Sequence, residues 1–359
     1  MYQQAFEAEL KLAFNSAKEV NDVQLAAIEG KGMGVVAKDN IISGQLLISE
    51  GPLFALKMSY SSMWDDARES TISEILRLLS ENNRNHFHQL HNSLETHEDY
   101  LNKSYFGKFM SNSLKMFEAL DEYKTPERCN MSGILVHAAR INHSCVPNAH
   151  FLWDPAARKG NVRALTAITK GEEVTIRYIR LEASPNRSVL LLNRYNIVRC
   201  TCPMCTVPAD EIEETDRFLH HAREIEYRLA DQEVLEATPQ KTLNEAKMAR
   251  DIFARNGGGA VERARVVFKC FEICAIQGDI TRAKYFLEMA LRHCLLAQGD
   301  ASPNARCLRL LQADVTQYEG FGKANKWAGS MFNNMNYEQK DIPTWYWRMP
   351  PFEDFSRDF

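Results

Sequence analysis

No cysteine occurs before Cys129, so a cysteine-rich zinc finger is absent from the first third of the chain. Strong charge of either sign is also missing. A net charge of -4 supplies no overall basic field, so bulk electrostatics do not favour nonspecific nucleic-acid binding, and only a local basic groove stays open. Long apolar runs are lacking too. The opening residues MYQQAFEAELKLAF carry acidic charges, which argues against a secretion signal or a membrane span and makes cytosol or nucleus the default location. What is present suits a globular protein: 359 residues, 45% of them apolar, are enough to fill the cores of two domains. The nine cysteines are odd in number and three fall within six positions, which fits metal binding in a reducing compartment better than a disulfide framework.

Periodicity divides the chain into four parts. Residues 1–20 read as a short helix with Phe6, Leu10, Ala13 and Phe14 on one face. From about 25 to 56, short β-branched runs punctuated by Gly30, Gly32, Gly34, Gly44 and Gly51 read as strands with tight turns. Residues 63–120 switch to helical spacing, with Ile72, Ile75, Leu76 and Leu79 in phase. Strand character returns at Val162–Leu165 and Glu173–Ile179. Beyond Pro208 the pattern is helical and carries no obvious catalytic group. Two segments, about 261–277 and 280–298, end alike in Ala275-Ile276-Gln277-Gly278-Asp279 and Leu296-Ala297-Gln298-Gly299-Asp300, which predicts paired helices each closed by a glycine, TPR-like or in an ordinary bundle. The aromatic stretch Trp345-Tyr346-Trp347-Arg348-Met349-Pro350-Pro351-Phe352 reads as a docking tail, with a partner motif as the sharper alternative.

The chemistry concentrates in two places. Cys200-Thr201-Cys202-Pro203-Met204-Cys205 is a C-x-C-x-x-C knuckle, and Cys145 lies 55 positions before it in Arg140-Ile141-Asn142-His143-Ser144-Cys145-Val146-Pro147-Asn148. Four thiols from two distant stretches can converge on one tetrahedral Zn²⁺. Cys200, Cys202 and Cys205 are too crowded to be ordinary core, whereas Cys129, Cys270, Cys274, Cys294 and Cys307 read as small apolar core residues. Cys145, taken alone, fits either role. Gly32 and Gly34 by themselves indicate a strand turn, and Tyr178 by periodicity alone is a packing residue of a strand.

Taken together these stretches resemble the SET-domain protein-lysine methyltransferases. The Asn-His-Ser-Cys-x-Pro-Asn loop and the cysteine knuckle match the family's shared zinc, and Lys31-Gly32-Met33-Gly34-Val35-Val36-Ala37 matches its N-terminal glycine turn. Ile41–Pro52 resembles the strand pair that follows, and Gly171-Glu172-Glu173-Val174-Thr175-Ile176-Arg177-Tyr178 resembles the segment ending in the active-site tyrosine. Order and spacing agree over roughly residues 25–206. The nearest group is SMYD-like, but its MYND finger is missing here.

The resemblance implies an α+β fold: a SET-domain β fold with a helical insert at about 63–120 and a zinc-bound post-SET segment, after an N-terminal helix at 1–24 and before an all-α domain at 207–359. It implies S-adenosylmethionine contacts at Lys31, Gly32, Met33, Gly34, Asn112, Asn142 and His143, zinc ligation by Cys145, Cys200, Cys202 and Cys205, and catalysis at Tyr178. For His143 a structural role is the rival reading. An aromatic residue usually precedes the cysteine cluster in the family, and here either Tyr195 stands one place early or Val198 replaces it. The implied activity is S-adenosylmethionine-dependent methylation of a protein lysine, with the helical domain narrowing the substrate groove. The alternative is a catalytically silent SET scaffold that binds a protein partner through its helical domain.

Overall fold

In the computed structural model, residues 19–58, 65–95, 104–116, 131–328 and 346–347 are described, with the side chains of residues 19, 65 and 66 left out. The chain divides into two compact units, Met1–Ile212 with Leu296–Asn304, and Glu213–Leu295 with Ala305–Phe359. Among the described residues no helix is long and apolar enough to cross a membrane.

The first unit is built on three small sheets. β1 (Glu19–Val20), β2 (Val23–Ile28), β3 (Gly32–Ala37), β4 (Leu46–Glu50) and β5 (Phe54–Lys57) come first, matching the β-branched runs read between 25 and 56. Most of the expected helix at 1–20 lies outside the described residues, and its last two positions form β1 instead. Extended Glu19 and Val20 gain hydrogen-bonding partners from Ser49 and Ile48 of β4, a tertiary term that local spacing does not contain. Within the insert α1 (Asp65–Leu78), α2 (Glu81–His88) and α3 (Ser104–Asn112) are helical, as the spacing predicts, and Ile72, Ile75, Leu76 and Leu79 are buried with Phe54, Phe87, Phe106 and Phe109. Ser80 caps α2 by accepting the Asn83 N–H at 3.3 Å.

The sheets then close with β6 (Leu114–Lys115), β7 (Met131–Ile134), β8 (Asn142–His143), β9 (Ala149–Asp154), β10 (Lys159–Ala164) and β11 (Glu173–Ile176). Their orders are β1-β4-β10-β9, β2-β3-β11-β8 and β5-β7-β6. All pairings are antiparallel except β8 with β11, which run parallel with Asn142 opposite Thr175 and His143 opposite Ile176. Val35, Leu47, Ile48, Ile141, Val162, Val174 and Ile176 fill the core beneath the first two sheets. β11 stops at Ile176, two residues short of Tyr178, so the strand expected to reach Ile179 is shorter and the tyrosine sits in the bend after it. The physical reason lies in the partner strand, since β8 supplies only two residues to pair with.

α4 (Ser184–Tyr195) begins with Pro185 in its first turn and ends at Asn196 in the left-handed region (φ 52°), which turns the chain toward the cysteine knuckle. The remainder is largely helical: α5 (Ala209–Leu229), α6 (Gln232–Ala237), α7 (Pro239–Arg255), α8 (Ala260–Ile276), α9 (Ile280–Gln298) and α10 (Pro303–Ala313). Gly278 (φ 75°) and Gly299 (φ 83°) follow α8 and α9, the closures that the paired Gln-Gly-Asp sequences predict. In the second unit α8 is apolar on nearly every side and fully buried at Val267, Cys270, Phe271, Ile273 and Cys274. The fully buried Asp279 caps α9 and pairs with the buried Arg282 at 2.6 Å, whose guanidinium lies 4.1 Å from the Trp327 ring centroid. Cys270, Cys274 and Cys294 are core residues as read, Cys307 is half-buried, and Cys129 lies outside the described residues. Of the aromatic tail, Tyr346 stacks on Tyr285 at 3.7 Å and Trp347 packs on Phe286 at 4.8 Å, so these two residues dock within their own unit.

Candidate functional site

The glycine turn is the first component. β2 and β3 form a hairpin in which Ile28 faces Gly32, with Gly30 (φ 71°) and Gly32 (φ 76°) in the left-handed region that the turn requires. Gly34 is needed for a different reason. A Cβ there would lie 2.6 Å from Ile28 Cγ1 and 2.7 Å from Asn142 Nδ2, so the missing side chain makes room for the Asn142 amide against β3. Glu173 clamps the same place from β11: one carboxylate oxygen takes Lys31 Nζ at 2.7 Å and the other takes Asn142 Nδ2 at 2.9 Å. Lys31, Gly34 and Asn142 thereby meet at Glu173, with Gly32 and Met33 of the same hairpin exposed. Asn112 is engaged elsewhere, because its amide nitrogen donates to the carbonyls of His91 and Lys108, both at 2.7 Å, and closes α3.

The second component is the cysteine cluster. The Sγ atoms of Cys145, Cys200, Cys202 and Cys205 all lie within 4.8 Å of one another, with Cys145 to Cys205 at 3.7 Å and Cys145 to Cys200 at 4.0 Å. Tetrahedral Zn²⁺ with Zn–S bonds of about 2.3 Å sets its sulfurs about 3.8 Å apart, so the donor set suits such an ion. Left to share protons, the thiols pull against each other. Hydrogen bonding to Cys200 and the other two sulfurs, with burial, pushes Cys145 well above the usual thiol range, while the hydrogen bond from Cys145 takes Cys200 well below it and Cys202 down to about 5. One cation bound to four thiolates removes that competition. The cluster also has outer partners: His143 Nε2 is 3.4 Å from Cys145 Sγ, and Arg187, only 2% exposed, donates to Cys205 Sγ at 3.8 Å.

Tyr178 joins the two components. Its hydroxyl donates to the Ile141 carbonyl at 2.7 Å, and its backbone N–H donates to His143 Nδ1 at 3.1 Å. Its ring lies 5.3 Å from that of His143 and 4.6 Å from that of Tyr195. Burial, followed by the Tyr195 phenol and the Glu173 carboxylate, raises the Tyr178 hydroxyl well above the ordinary phenol range; burial raises Tyr195 as well. Of the two candidates for the aromatic position, Tyr195, the last residue of α4, packs on Tyr178, and Val198 is 78% exposed.

Sequence reasoning missed four supporting residues. Glu173 was quoted only as part of Gly-Glu-Glu, and no local signal distinguishes its role from that of solvent-facing Glu172. Asn148 cross-links the loop to β11 by donating to the Glu173 carbonyl (2.8 Å) and accepting the Thr175 N–H (2.8 Å); Pro147-Asn148 in the quoted loop was the available hint. Glu50, 2% exposed, accepts the N–H groups of His137 and Ala138 at 2.9 and 2.8 Å and holds the turn leading into Ile141. Arg187 had no sequence signal at all.

Among known proteins, residues 32–179 match the family model described as SET domain. "Histone-lysine N-methyltransferase set5" of Schizosaccharomyces pombe is 27% identical over 287 residues, covering 79% of this chain and 81% of its own. "Putative SET domain-containing protein L678" of Acanthamoeba polyphaga mimivirus is 26% identical over 202 residues, 52% of this chain and 78% of its own. Human "Protein-lysine N-trimethyltransferase SMYD5" is 38% identical over 87 residues, 23% of this chain and 21% of its own. The solved SET domain of LSMT bound to methyllysine and AdoHcy is 11% identical, covers 94% of this chain and 98% of that one, and has a TM-score of 0.34, too slight a likeness to bear on the site.

Proposed function

We propose that this chain, whose residues 32–179 match the SET domain family model and whose remainder is largely helical, is a SET-domain methyltransferase of the SMYD-like group that transfers a methyl group from S-adenosylmethionine to the side-chain amine of a protein lysine. The observation that carries this reading is the convergence on Tyr178: a phenol kept protonated, anchored through its own hydrogen to Ile141, and flanked by Tyr195 and His143. The relatives whose names specify lysine methylation support the substrate class.

The sulfonium cofactor supplies an electrophilic methyl when bound. Lys31, Gly32, Met33 and Gly34 form the turn that would receive it; Gly32 and Met33 are exposed, and the open space around Gly32, where an added Cβ meets nothing within 4 Å, leaves its backbone approachable. Asn142 would take part from β8. The amine must lose its ammonium proton before its lone pair can form the C–N bond, because a free lysine titrates near 10.4 (about that value in model peptides). Tyr178 is not the group that removes it, since burial opposes the phenolate. With its hydrogen committed to Ile141, the Tyr178 oxygen offers lone pairs to an amine N–H and so orients the nucleophile in line with the methyl group. With that cofactor bound, a C–N bond would form at the expense of its S–C bond, whose electron pair would stay on sulfur, and the alkylated nitrogen would shed its proton to water.

Zinc at Cys145, Cys200, Cys202 and Cys205 would be structural, because four thiolates leave no open coordination position. Binding of S-adenosylmethionine by titration calorimetry, followed by transfer of labelled methyl to proteins of a cell extract and then to lysine-blocked extract, tests the proposal. Labelling lost on blocking is the expected result. Cofactor binding with no labelling would reject it in favour of a silent scaffold.

A further inference from the structure

We propose that the His143 side chain is a positioning residue that couples the four-cysteine centre to Tyr178. The inference rests on the reading of Tyr178 as the group that orients the amine, and it adds that the metal site governs where that tyrosine stands.

The sheet does not hold Tyr178. β11 ends at Ile176, and the parallel ladder with β8 ends with the His143–Ile176 pair. The hydrogen bond that fixes the backbone at Tyr178 runs from its N–H to a side chain, His143 Nδ1, at 3.1 Å. Because Nδ1 accepts, the ring proton resides on Nε2, and Nε2 lies 3.4 Å from Cys145 Sγ. The imidazole therefore donates to sulfur at one end and accepts the tyrosine amide at the other. His143 is only 5% exposed and its ring packs on the tyrosine ring at 5.3 Å, so it has little freedom to satisfy one partner without the other. A metal-bound thiolate is a stronger acceptor than a thiol, so the first bond is strongest when Cys145 is ligated.

A second tie works from the other end of the cluster. Arg187 donates Nη2 to Cys205 Sγ at 3.8 Å and Nη1 to the Glu182 carbonyl at 2.5 Å, and it belongs to α4, the helix that ends in Tyr195. Tyr195 lies 4.6 Å from Tyr178. Both aromatic neighbours of Tyr178 are thus connected to cluster sulfurs, one through its own ring and one through its helix. The Arg177 Nε donor on the Cys145 carbonyl, at 3.1 Å, adds a link one residue before the tyrosine. A metal site that leaves no coordination position open for chemistry still bears on the reaction through these bonds.

The test uses the full-length metal-loaded protein, amide hydrogen exchange read at Tyr178, and zinc content by elemental analysis. His143→Leu keeps bulk and removes both hydrogen bonds; His143→Gln offers one acceptor and one donor again. Exchange at Tyr178 is expected to quicken roughly tenfold in His143→Leu and in wild type stripped of metal by a chelator, the loss of about one net hydrogen bond, with Val174 of the neighbouring strand unchanged. His143→Gln is expected to restore most of the protection. On a substrate found by labelling, His143→Leu is expected to lower kcat by roughly tenfold or more while KM for that protein substrate holds. Unchanged exchange at Tyr178 on metal removal would overturn the coupling, as would equal loss of metal and protection in the Leu and Gln variants. The exchange result decides the coupling even if wild type methylates nothing, an outcome that strikes the proposed activity instead.

Discussion

Tyr178→Phe removes one oxygen and leaves the rest of the ring packing intact. In the folded protein that oxygen donates a single 2.7 Å hydrogen bond to the Ile141 carbonyl. Losing it costs about 1 kcal/mol of stability, which for a domain of roughly 200 residues lowers Tm by about 2–4 °C. Against a total stability on the order of 5–15 kcal/mol, the variant stays almost wholly folded. Its effect on rate is expected to be much larger, about a hundredfold, because a positioned group acts where the barrier is highest. A factor of one hundred is about 2.7 kcal/mol in activation free energy, more than the ground-state loss and therefore not explained by unfolding. The assay measures cofactor affinity by calorimetry and single-turnover methyl transfer for wild type and variant. Cofactor affinity is expected to hold. Both proteins should gain rate with rising pH as the target amine deprotonates, in parallel, since the phenol of wild type remains protonated throughout. Equal turnover would remove Tyr178 from the mechanism, and a pH limb present in wild type but absent from the variant would refute the argument that the phenol does not act as base.

Cys145→Ser is expected to bring zinc content below one ion per chain and to lower the unfolding temperature, checked by elemental analysis and calorimetry; full metal content at wild-type stability would reject the four-thiolate assignment. Gly34→Ala places a Cβ 2.6 Å from Ile28 and 2.7 Å from Asn142 and should cost about 1–3 kcal/mol in denaturant unfolding, with weaker cofactor binding. Asp279→Asn removes the buried carboxylate that pairs with the 1%-exposed Arg282 at 2.6 Å and should destabilise the protein by about 3–5 kcal/mol, whereas replacing Asp279 and Arg282 together by apolar residues should recover much of that loss. Burial raises the phenols of Tyr178 and Tyr195, so the folded state holds those protons more tightly than the unfolded chain; that stabilisation is whole below pH of about 10 and is lost as pH climbs toward the folded values. Tyr178→Phe should flatten the alkaline decline in chemical stability, and an unchanged slope would contradict the burial argument.

Part of the site was legible in the residues because its signals are local. Gly30 and Gly32 announce a turn, since only glycine takes φ near 70° without strain, and the structure places the hairpin turn there. Ile72, Ile75, Leu76 and Leu79 report a helix face through their spacing, and that face is buried. Three cysteines within six positions point to a metal before any fold is known. Tyr178 was legible only as part of Gly-Glu-Glu-Val-Thr-Ile-Arg-Tyr, and its assignment to a strand overran the two residues that β8 can pair.

The sequence by itself determined the elements and the donor types: the glycine hairpin, the insert helices, the helix-closing Gly278 and Gly299, and thiols suited to zinc. These are short-range properties, set by backbone sterics, periodicity and ligand chemistry. Only the tertiary structure decided which residues act together. It brought Cys145 within 3.7 Å of Cys205 across 60 positions, seated Lys31 on Glu173 across 142, and chose Tyr195 over Val198 as the ring against Tyr178. It also turned His143 into a bridge between sulfur and a tyrosine amide. Such pairings follow from which strand lies beside which, and a parallel β8–β11 ladder between segments about thirty residues apart leaves no trace in the composition or spacing of either.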